Sequence, residues 1–144
     1  QKEFNMETSA RNTFHGRITR VESSAVLCRV VLKTDSGYEI SAVITNHSLN
    51  KLGLEPGRPA TALIKATFVM LEKDSRFSPS PDCNALPGTV TRVAYDGVLT
   101  EIQGVLKDGT PVCALITAGS KDLLEIEQGQ EMLFIFKALS VIIC

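Results

Sequence analysis

Three places in the first half of the chain combine features that could together bind an anion through hydrogen-bond donors and positive charge. The segment 8–12 (TSARN) offers two hydroxyls, a guanidinium and a run of backbone amides. The segment 45–48 (TNHS) opens a predicted helix, where free amides and the helix dipole attract an anion. Lys65 lies inside the apolar run ALIKATFVML, where its ammonium must reach water or an anion. None of the three contains a carboxylate, so together they suit a fully deprotonated tetrahedral oxyanion, every oxygen of which accepts hydrogen bonds.

The candidate oxyanion-binding residues all come from these three places. They are Ser9, Ala10, Arg11, Asn12, Thr45, Asn46, His47, Ser48 and Lys65. Several also have an ordinary structural explanation, with Ser9 as a turn residue or cap, Arg11 as a surface charge and Ser48 as a helix-start residue. Lys65 could extend to solvent from an edge strand, and its repetition as Lys137 is compatible with common descent of a structural lysine. The residues by themselves leave both explanations open.

Other chemistries find little support in the sequence. His15 and His47 have no metal-ligand partner at a useful spacing, so no direct metal site is expected. No Ser/His/Asp or Cys/His arrangement is indicated, so the chain is not expected to be an enzyme. The cysteines lack a CxxC pair, which favours free thiols in a reducing cytosol over a disulfide framework or zinc site. They are Cys28, Cys83, Cys113 and Cys144.

The overall charge and hydropathy of the chain narrow the function classes further. Its 15 basic and 16 acidic side chains leave a net charge of −1, without the basic excess of a nucleic-acid surface. No stretch approaches the roughly 18 consecutive apolar residues of a membrane helix. The first nine residues (QKEFNMETS) lack the apolar core of a signal peptide and a starting Met, which is compatible with an excised fragment.

The chain consists of two copies of one sequence at an offset of 72 residues, aligned without gaps. A register that matches Gly, Thr, Ser and Lys as well as apolar residues indicates duplication. The matches include Asn12 with Asn84, Gly16 with Gly88, 19–21 with 91–93, Gly37 with Gly109, 44–45 with 116–117, Ser48 with Ser120, Gly57 with Gly129, and 65–66 with 137–138. The predicted domains are residues 5–73, a Pro/Ser-rich linker at 74–81, and a degenerate second copy at 82–144.

Each copy is predicted to be mostly β-strand with one short helix. In copy one, strands are expected at 13–21, 25–33, 38–44, 59–66 and 67–72, from their alternation and β-branched content. Thr45 is the predicted N-cap of a helix that runs through Leu52 and stops at Gly53, and Thr117 is its counterpart. About 65 ordered residues make a thin core, so a small closed antiparallel barrel is the economical fold for each copy. The fold class expected is therefore all-β, with short helices.

The residues of copy one resemble a known family. The segments TSARN (8–12), AVIT (42–45), LGL (52–54) and IKA (64–66), together with Gly16 and Ser48, resemble the molybdate-binding Mop (TOBE) module. The tandem arrangement is similar to a di-Mop unit, which occurs in free-standing molybdate-storage molbindins and in the sensor domain of ModE-type transcription regulators. The resemblance implies OB-like barrels, a homodimer, and molybdate or tungstate held at the subunit interface. Ligand contacts are implied from Ser9, Arg11 and Lys65 on one side, and from Thr45 and Ser48 of the other chain.

The second copy helps to choose between these relatives. Pro81-Asp82-Cys83 stands where copy one has Ser9-Ala10-Arg11, and a carboxylate beside a dianion is repulsive. Copy two is therefore expected to bind weakly or not at all, which resembles the regulator's sensor more than the storage type. In the regulators a winged helix-turn-helix domain would precede residue 1, so DNA contact is expected only through that domain. A storage protein, and an accessory domain of an ABC transporter ATPase, remain as alternatives.

Overall fold

The computed structural model describes residues 11–74, 77–78, 80–117, 119 and 125–144. The chain divides into two compact units, each assembled from separate segments. Unit A contains residues 13–64, 80–84 and 137–144, and unit B contains the described residues within 1–12, 65–79 and 85–136. The units therefore do not coincide with the contiguous halves 5–73 and 82–144, whose boundaries stay a prediction about the sequence repeat.

The described residues form ten strands, one α-helix and two 3₁₀ turns. The strands are β1 (Arg11–Ser23), β2 (Leu27–Thr34), β3 (Glu39–Thr45), β4 (Pro59–Lys65), β5 (Met70–Glu72), β6 (Cys83–Tyr95), β7 (Leu99–Leu106), β8 (Pro111–Thr117), β9 (Glu131–Lys137) and β10 (Ile142–Ile143). The helix α1 is Asn46–Leu52, and the 3₁₀ turns are Ala66–Phe68 and Ala138–Ser140. The predicted strand at 67–72 was wrong in its first half, because the chain turns through Ala66–Phe68, where the amide of Val69 bonds the carbonyl of Ala66, before β5 begins.

Each unit holds one five-stranded sheet, and each sheet is completed by a strand from the other sequence copy. The order in unit A is β10-β4-β1-β2-β3, and the order in unit B is β5-β9-β6-β7-β8. β10, at the end of copy two, pairs antiparallel with β4, while β5, at the end of copy one, pairs antiparallel with β9. The two copies have thus exchanged their last strands.

The duplication is visible in local geometry as well as in sequence. The β1–β2 pairing shifts register between Ile18 and Arg20, and the β6–β7 pairing shifts between Val90 and Arg92, 72 residues later. Such a bulge bends the strand and increases its twist, which helps a short sheet to curve. Both copies therefore curve their sheets with the same device.

The two copies fill their cores with side chains of different size at matching positions. In unit B, Phe134 packs over Gly88 and Gly104, and a Cβ atom at Gly104 would stand 2.7 Å from its ring. At the matching positions of unit A, Ala62 replaces Phe134 and Leu32 replaces Gly104. Phe134 and Leu32 are both fully buried. Unit B therefore combines the large Phe134 with Gly104, and unit A combines the small Ala62 with Leu32, so the interior volume is filled in both units.

The predicted helix of copy one is confirmed, with its caps. The side chain of Thr45 accepts a hydrogen bond from the amide of Ser48, and Gly53 ends the helix in the left-handed conformation at φ 63°. Apart from Gly119, the residues predicted to form the matching helix after Thr117 lie outside the described residues. No helix in the described ranges is long and apolar enough to cross a membrane.

Candidate functional site

Arg11 and Asn12 begin strand β1, and the structure gives them different surroundings. The Arg11 side chain is exposed, whereas Asn12 is only 3% exposed. Asn12 donates through Nδ2 to the carbonyl of Cys113 at 3.0 Å and accepts through Oδ1 from the amide of Cys113 at 2.7 Å. The Cys113 thiol lies 3.8 Å from the carbonyl oxygen of Arg11 and donates to it. Residues 11 and 12 are therefore fastened to β8, with the guanidinium left in solvent.

The N-terminus of helix α1 in unit A is capped by hydrogen bonds between Thr45 and Ser48. Thr45 Oγ1 accepts from the Ser48 amide at 3.1 Å and donates to Ser48 Oγ at 3.0 Å. The Ser48 amide is therefore engaged within the cap, while Thr45 is exposed and Ser48 half-buried. Both hydroxyl oxygens lie at the surface of the helix start, where a ligand can compete for them.

Asn46 and His47 lie between Thr45 and Ser48 in sequence, and they differ in whether their side chains are available to bind an anion. The Asn46 amide donates to the carbonyl of Val26, and its Nδ2 donates to the carbonyl of Ser24. Within the described part of the chain, Asn46 Oδ1 is buried without a hydrogen-bond partner, and it is an acceptor. This favours a structural role for Asn46 in holding the β1–β2 turn. His47 is exposed and stays a candidate for bordering an anion.

Lys65 is the last residue of β4, and its counterpart Lys137 is the last residue of β9. Both lysines are exposed, so the strand ends deliver each ammonium to solvent rather than to the core. No salt bridge joins Arg11 or Lys65 to an acidic residue in the described ranges. Two cations of unit B are thus available to an anion.

The candidate residues are divided between the two units. Arg11, Asn12 and Lys65 belong to unit B, and the segment 45–48 belongs to unit A. Ser9 and Ala10 lie outside the described residues. Unit A also contains Lys137 and the segment 81–84, the counterpart of 9–12.

The segment 81–84 is held by a different set of contacts from its counterpart. Arg29 donates to the carbonyl of Pro81 at 2.6 Å, and its guanidinium lies 3.3 Å from the Asp82 carboxylate. Asn84 repeats the pairing made by Asn12, with bonds of 2.9 and 2.8 Å to the backbone of Ser41. Copy two therefore keeps the asparagine pairing but has Cys83 where copy one presents a guanidinium.

Two residues of unit B, Cys113 beside Asn12 and Glu101 near Cys113, were not among the sequence-based candidates. Cys113 is buried, and burial together with the negative charge of Glu101 raises the pKa of its thiol to about 11. Glu101 is 8% exposed, and its Oε1 lies 3.9 Å from the Arg92 guanidinium. The sequence contains one signal that could have pointed to Cys113. Asn12 is repeated as Asn84 at the same position of the repeat, which indicates that each asparagine has a structural partner at a matching position.

Other parts of the described chain offer no stronger site. No group of three or more His, Cys, Asp or Glu residues in the described ranges could hold a metal ion. Unit A has an open cleft of about 330 Å³, which contains none of the candidate residues. Its lining includes His15, Arg17, Asp35, Thr61 and Cys144.

Comparison with protein families identifies both copies. The profile of the TOBE domain matches the chain twice, over residues 8–71 and 80–143. The chain belongs to the TOBE family. This confirms the resemblance drawn from the segments 8–12, 42–45, 52–54 and 64–66, together with Gly16 and Ser48. The predicted fold class, all-β with two tandem OB-like modules, is also confirmed, because a solved structure described below matches 94% of this chain.

Relatives of this TOBE chain include a molybdenum-pterin-binding protein and a transcriptional regulator. It is 39% identical over 138 residues to the molybdenum-pterin-binding protein MopA of Rhodobacter capsulatus, covering 96% of this chain and 52% of MopA. It is 33% identical over 141 residues to ModE of Escherichia coli (strain K12), a DNA-binding transcriptional dual regulator, covering 97% of this chain and 53% of ModE. The chain thus spans about half the length of these relatives.

A solved structure matches the TOBE pair as a whole. The cytoplasmic molybdate-binding protein ModG, crystallised with molybdate bound, superimposes with a TM-score of 0.88 at 30% sequence identity. The superposition covers 94% of this chain and 96% of the ModG chain.

Proposed function

We propose that this TOBE pair binds molybdate or tungstate and performs no catalysis. The proposal rests on the exposed guanidinium of Arg11, which has no salt-bridge partner in the described ranges. The backbone of Arg11 is held in place by the hydrogen bonds that Asn12 and Arg11 form with Cys113. Lys65 adds a second such cation in the same unit. Names of relatives support the choice of anion, because ModG binds molybdate and MopA is named for molybdenum.

The proposed site combines two groups of residues from two chains of a homodimer. The first group is Ser9, Arg11 and Lys65, which supply a hydroxyl and two cations. The second group is Thr45 and Ser48, whose hydroxyls form the helix cap. All five side chains can donate hydrogen bonds, so the site suits an anion whose four oxygens all accept.

We further propose that the chain is the ligand-sensing part of a molybdate-responsive transcription regulator. The replacement of Arg11 by Cys83 in copy two supports this, because a storage protein gains from two competent copies. In that case DNA contact belongs to a helix-turn-helix domain preceding Gln1. The second candidate is a free-standing storage protein, which the identity with MopA favours. The full gene discriminates, since a helix-turn-helix upstream supports the sensor and a start codon near Gln1 supports storage.

Calorimetric titration tests the binding proposal. We expect heat from molybdate and tungstate, and much weaker binding of phosphate, whose protonated oxygen is best satisfied by a carboxylate, which the proposed site residues do not include. Sulfate, a smaller dianion, tests the contribution of size. Arg11→Ala should weaken molybdate binding by about tenfold or more, since a charge-assisted hydrogen bond contributes roughly 1.5–3 kcal/mol. Equal affinity for phosphate and molybdate, or no binding of either, would contradict the proposal.

A further inference from the structure

The side chain of Asn12 is paired with one residue that is 101 positions away in sequence. Its Nδ2 donates to the Cys113 carbonyl and its Oδ1 accepts from the Cys113 amide, at 3.0 and 2.7 Å. This Asn12–Cys113 amide pair imitates one residue pair of an antiparallel ladder, with the side chain in place of a strand. At 3% exposure, Asn12 is in the interior of unit B rather than at a ligand-accessible surface.

The preceding residue, Arg11, is fixed by the same partner. The Cys113 thiol donates to the Arg11 carbonyl at 3.8 Å, and a pKa raised to about 11 keeps that thiol protonated at neutral pH. Arg11 is the first residue of β1, and the first residue of a strand frays unless it is held. The peptide that joins Arg11 to Asn12 is therefore fastened from both sides to β8.

We propose that Asn12 is a positioning residue for anion binding, which acts through Arg11 and does not contact the anion. The Asn12–Cys113 amide pair fixes the backbone from which the guanidinium projects, so less conformational entropy is lost when the guanidinium binds. This inference rests on the proposed function, because it takes Arg11 as an anion-binding residue. It differs from the expectation from sequence, which counted Asn12 among the residues at the anion itself.

Copy two provides a matched control. Asn84 makes the same two bonds to the backbone of Ser41, at 2.9 and 2.8 Å, and is also buried. The residue before it is Cys83, which has no cation to position. Asn84 therefore shares the structural contribution of Asn12 without its proposed contribution to binding.

The test is a double-mutant cycle with urea unfolding and calorimetric titration with sodium molybdate. The variants are Asn12→Ala, Asn84→Ala, Arg11→Ala, and Arg11→Ala combined with Asn12→Ala. Both asparagine variants should lower the urea midpoint to a similar extent. We expect Asn12→Ala to weaken molybdate binding about fivefold and Asn84→Ala less than about twofold. In the Arg11→Ala background, Asn12→Ala should produce no further weakening, because the residue it positions is gone.

The possible failures can be told apart. If Asn12→Ala weakens binding equally with and without Arg11, Asn12 acts independently of Arg11 and the inference is overturned. If Asn84→Ala weakens binding as much as Asn12→Ala, the effect is general destabilisation, which also overturns it. If Arg11→Ala itself leaves affinity unchanged, the proposed site fails. Should the alanine variants not fold, Asn12→Ser and Asn84→Ser replace them, since a hydroxyl with one water can satisfy the exposed backbone groups.

Discussion

Lys65 and Lys137 are the same residue of the repeat, and they differ only in what surrounds them. Each ends a strand, is followed by a 3₁₀ turn and is exposed. Lys65 belongs to unit B with Arg11, whereas Lys137 belongs to unit A with Asp82. An anion binds more tightly where a second cation adds to the attraction than where a carboxylate opposes it, so these two lysines should not be equivalent.

Lys65→Ala should weaken molybdate binding about tenfold, and Lys137→Ala should change it less than about twofold. The physical reason is that Lys65 shares unit B with the Arg11 guanidinium, while the position matching Arg11 in copy two is Cys83 and a carboxylate precedes it. Calorimetric titration of the two variants measures the difference, and each serves as the control for the other. If Lys137→Ala proves as damaging as Lys65→Ala, the assignment of the site to copy one is wrong.

The sequence predicted those hydrogen bonds whose two partners are close together along the chain, and not those whose partners are far apart. The Thr45 cap and the Gly53 stop involve partners within five residues, so spacing alone predicted both. The partner of Asn12 is distant in sequence, and nothing in the segment 8–12 indicates that the asparagine is buried. Asn46 was counted as a donor to the anion for the same reason, because its bonds to Ser24 and Val26 depend on how the β1–β2 turn folds.

At the scale of elements, the exchange of β5 and β10 gives each unit a strand from the other copy. β10 contains two residues, of which Ile143 is 6% exposed and pairs with Ala62, while Ile142 is 53% exposed and pairs with Leu63. The exchanged strand therefore contributes one buried side chain and a few backbone hydrogen bonds to unit A. Such a short strand depends mainly on that side chain.

Ile143→Ala should lower the free energy of unfolding by about 2 kcal/mol or more, the usual range for removing a buried isoleucine side chain. Ile142→Ala is the matched control in the same strand and should change it by less than about 0.5 kcal/mol, because its side chain is half in solvent. Urea denaturation of both variants measures the comparison. Equal, small losses would show that β10 does not hold unit A together.

Strand alternation and turn residues predicted the strands, but they could not predict the exchange. β5 and β10 occupy matching positions of a gapless repeat, so each has a sequence suited to pair with either β4 or β9. Pairing within a copy and pairing between copies bury similar side chains. The outcome depends on the path of the chain after Lys65 and Lys137, where the 3₁₀ turns lie. That path has no counterpart in sequence periodicity.

At the scale of the whole molecule, several large apolar side chains remain exposed in both units. Leu139 and Ile142 of unit A are 71% and 53% exposed, and Phe68 and Met70 of unit B are 50% and 48% exposed. The two residues of each pair lie within three positions of each other in sequence, and clustered apolar surface, unlike single exposed side chains, is typical of protein contacts. A net charge of −1 adds little repulsion between identical chains. Both observations favour the homodimer of the proposed site.

Mixing two inactive variants tests whether the site is shared between chains. One variant carries Arg11→Ala and Lys65→Ala, and the other carries Thr45→Ala and Ser48→Ala. In a heterodimer of the two, one site loses both groups and the other keeps both. After subunit exchange by refolding, molybdate binding should return to about a quarter of the wild-type sites, because about half of the dimers are mixed.

The control mixture combines Arg11→Ala chains with Lys65→Ala chains, which should restore nothing because both residues are needed from the same chain. Sedimentation velocity with molybdate present checks that every mixture is dimeric. No recovery in either mixture, with dimers present, would mean that each site is built within one chain. Recovery in the control mixture alone would mean that Arg11 and Lys65 reach the anion from different chains. The single result that supports the proposed site is recovery in the first mixture alone, since only that pairing reunites two cations of one chain with the helix cap of its partner.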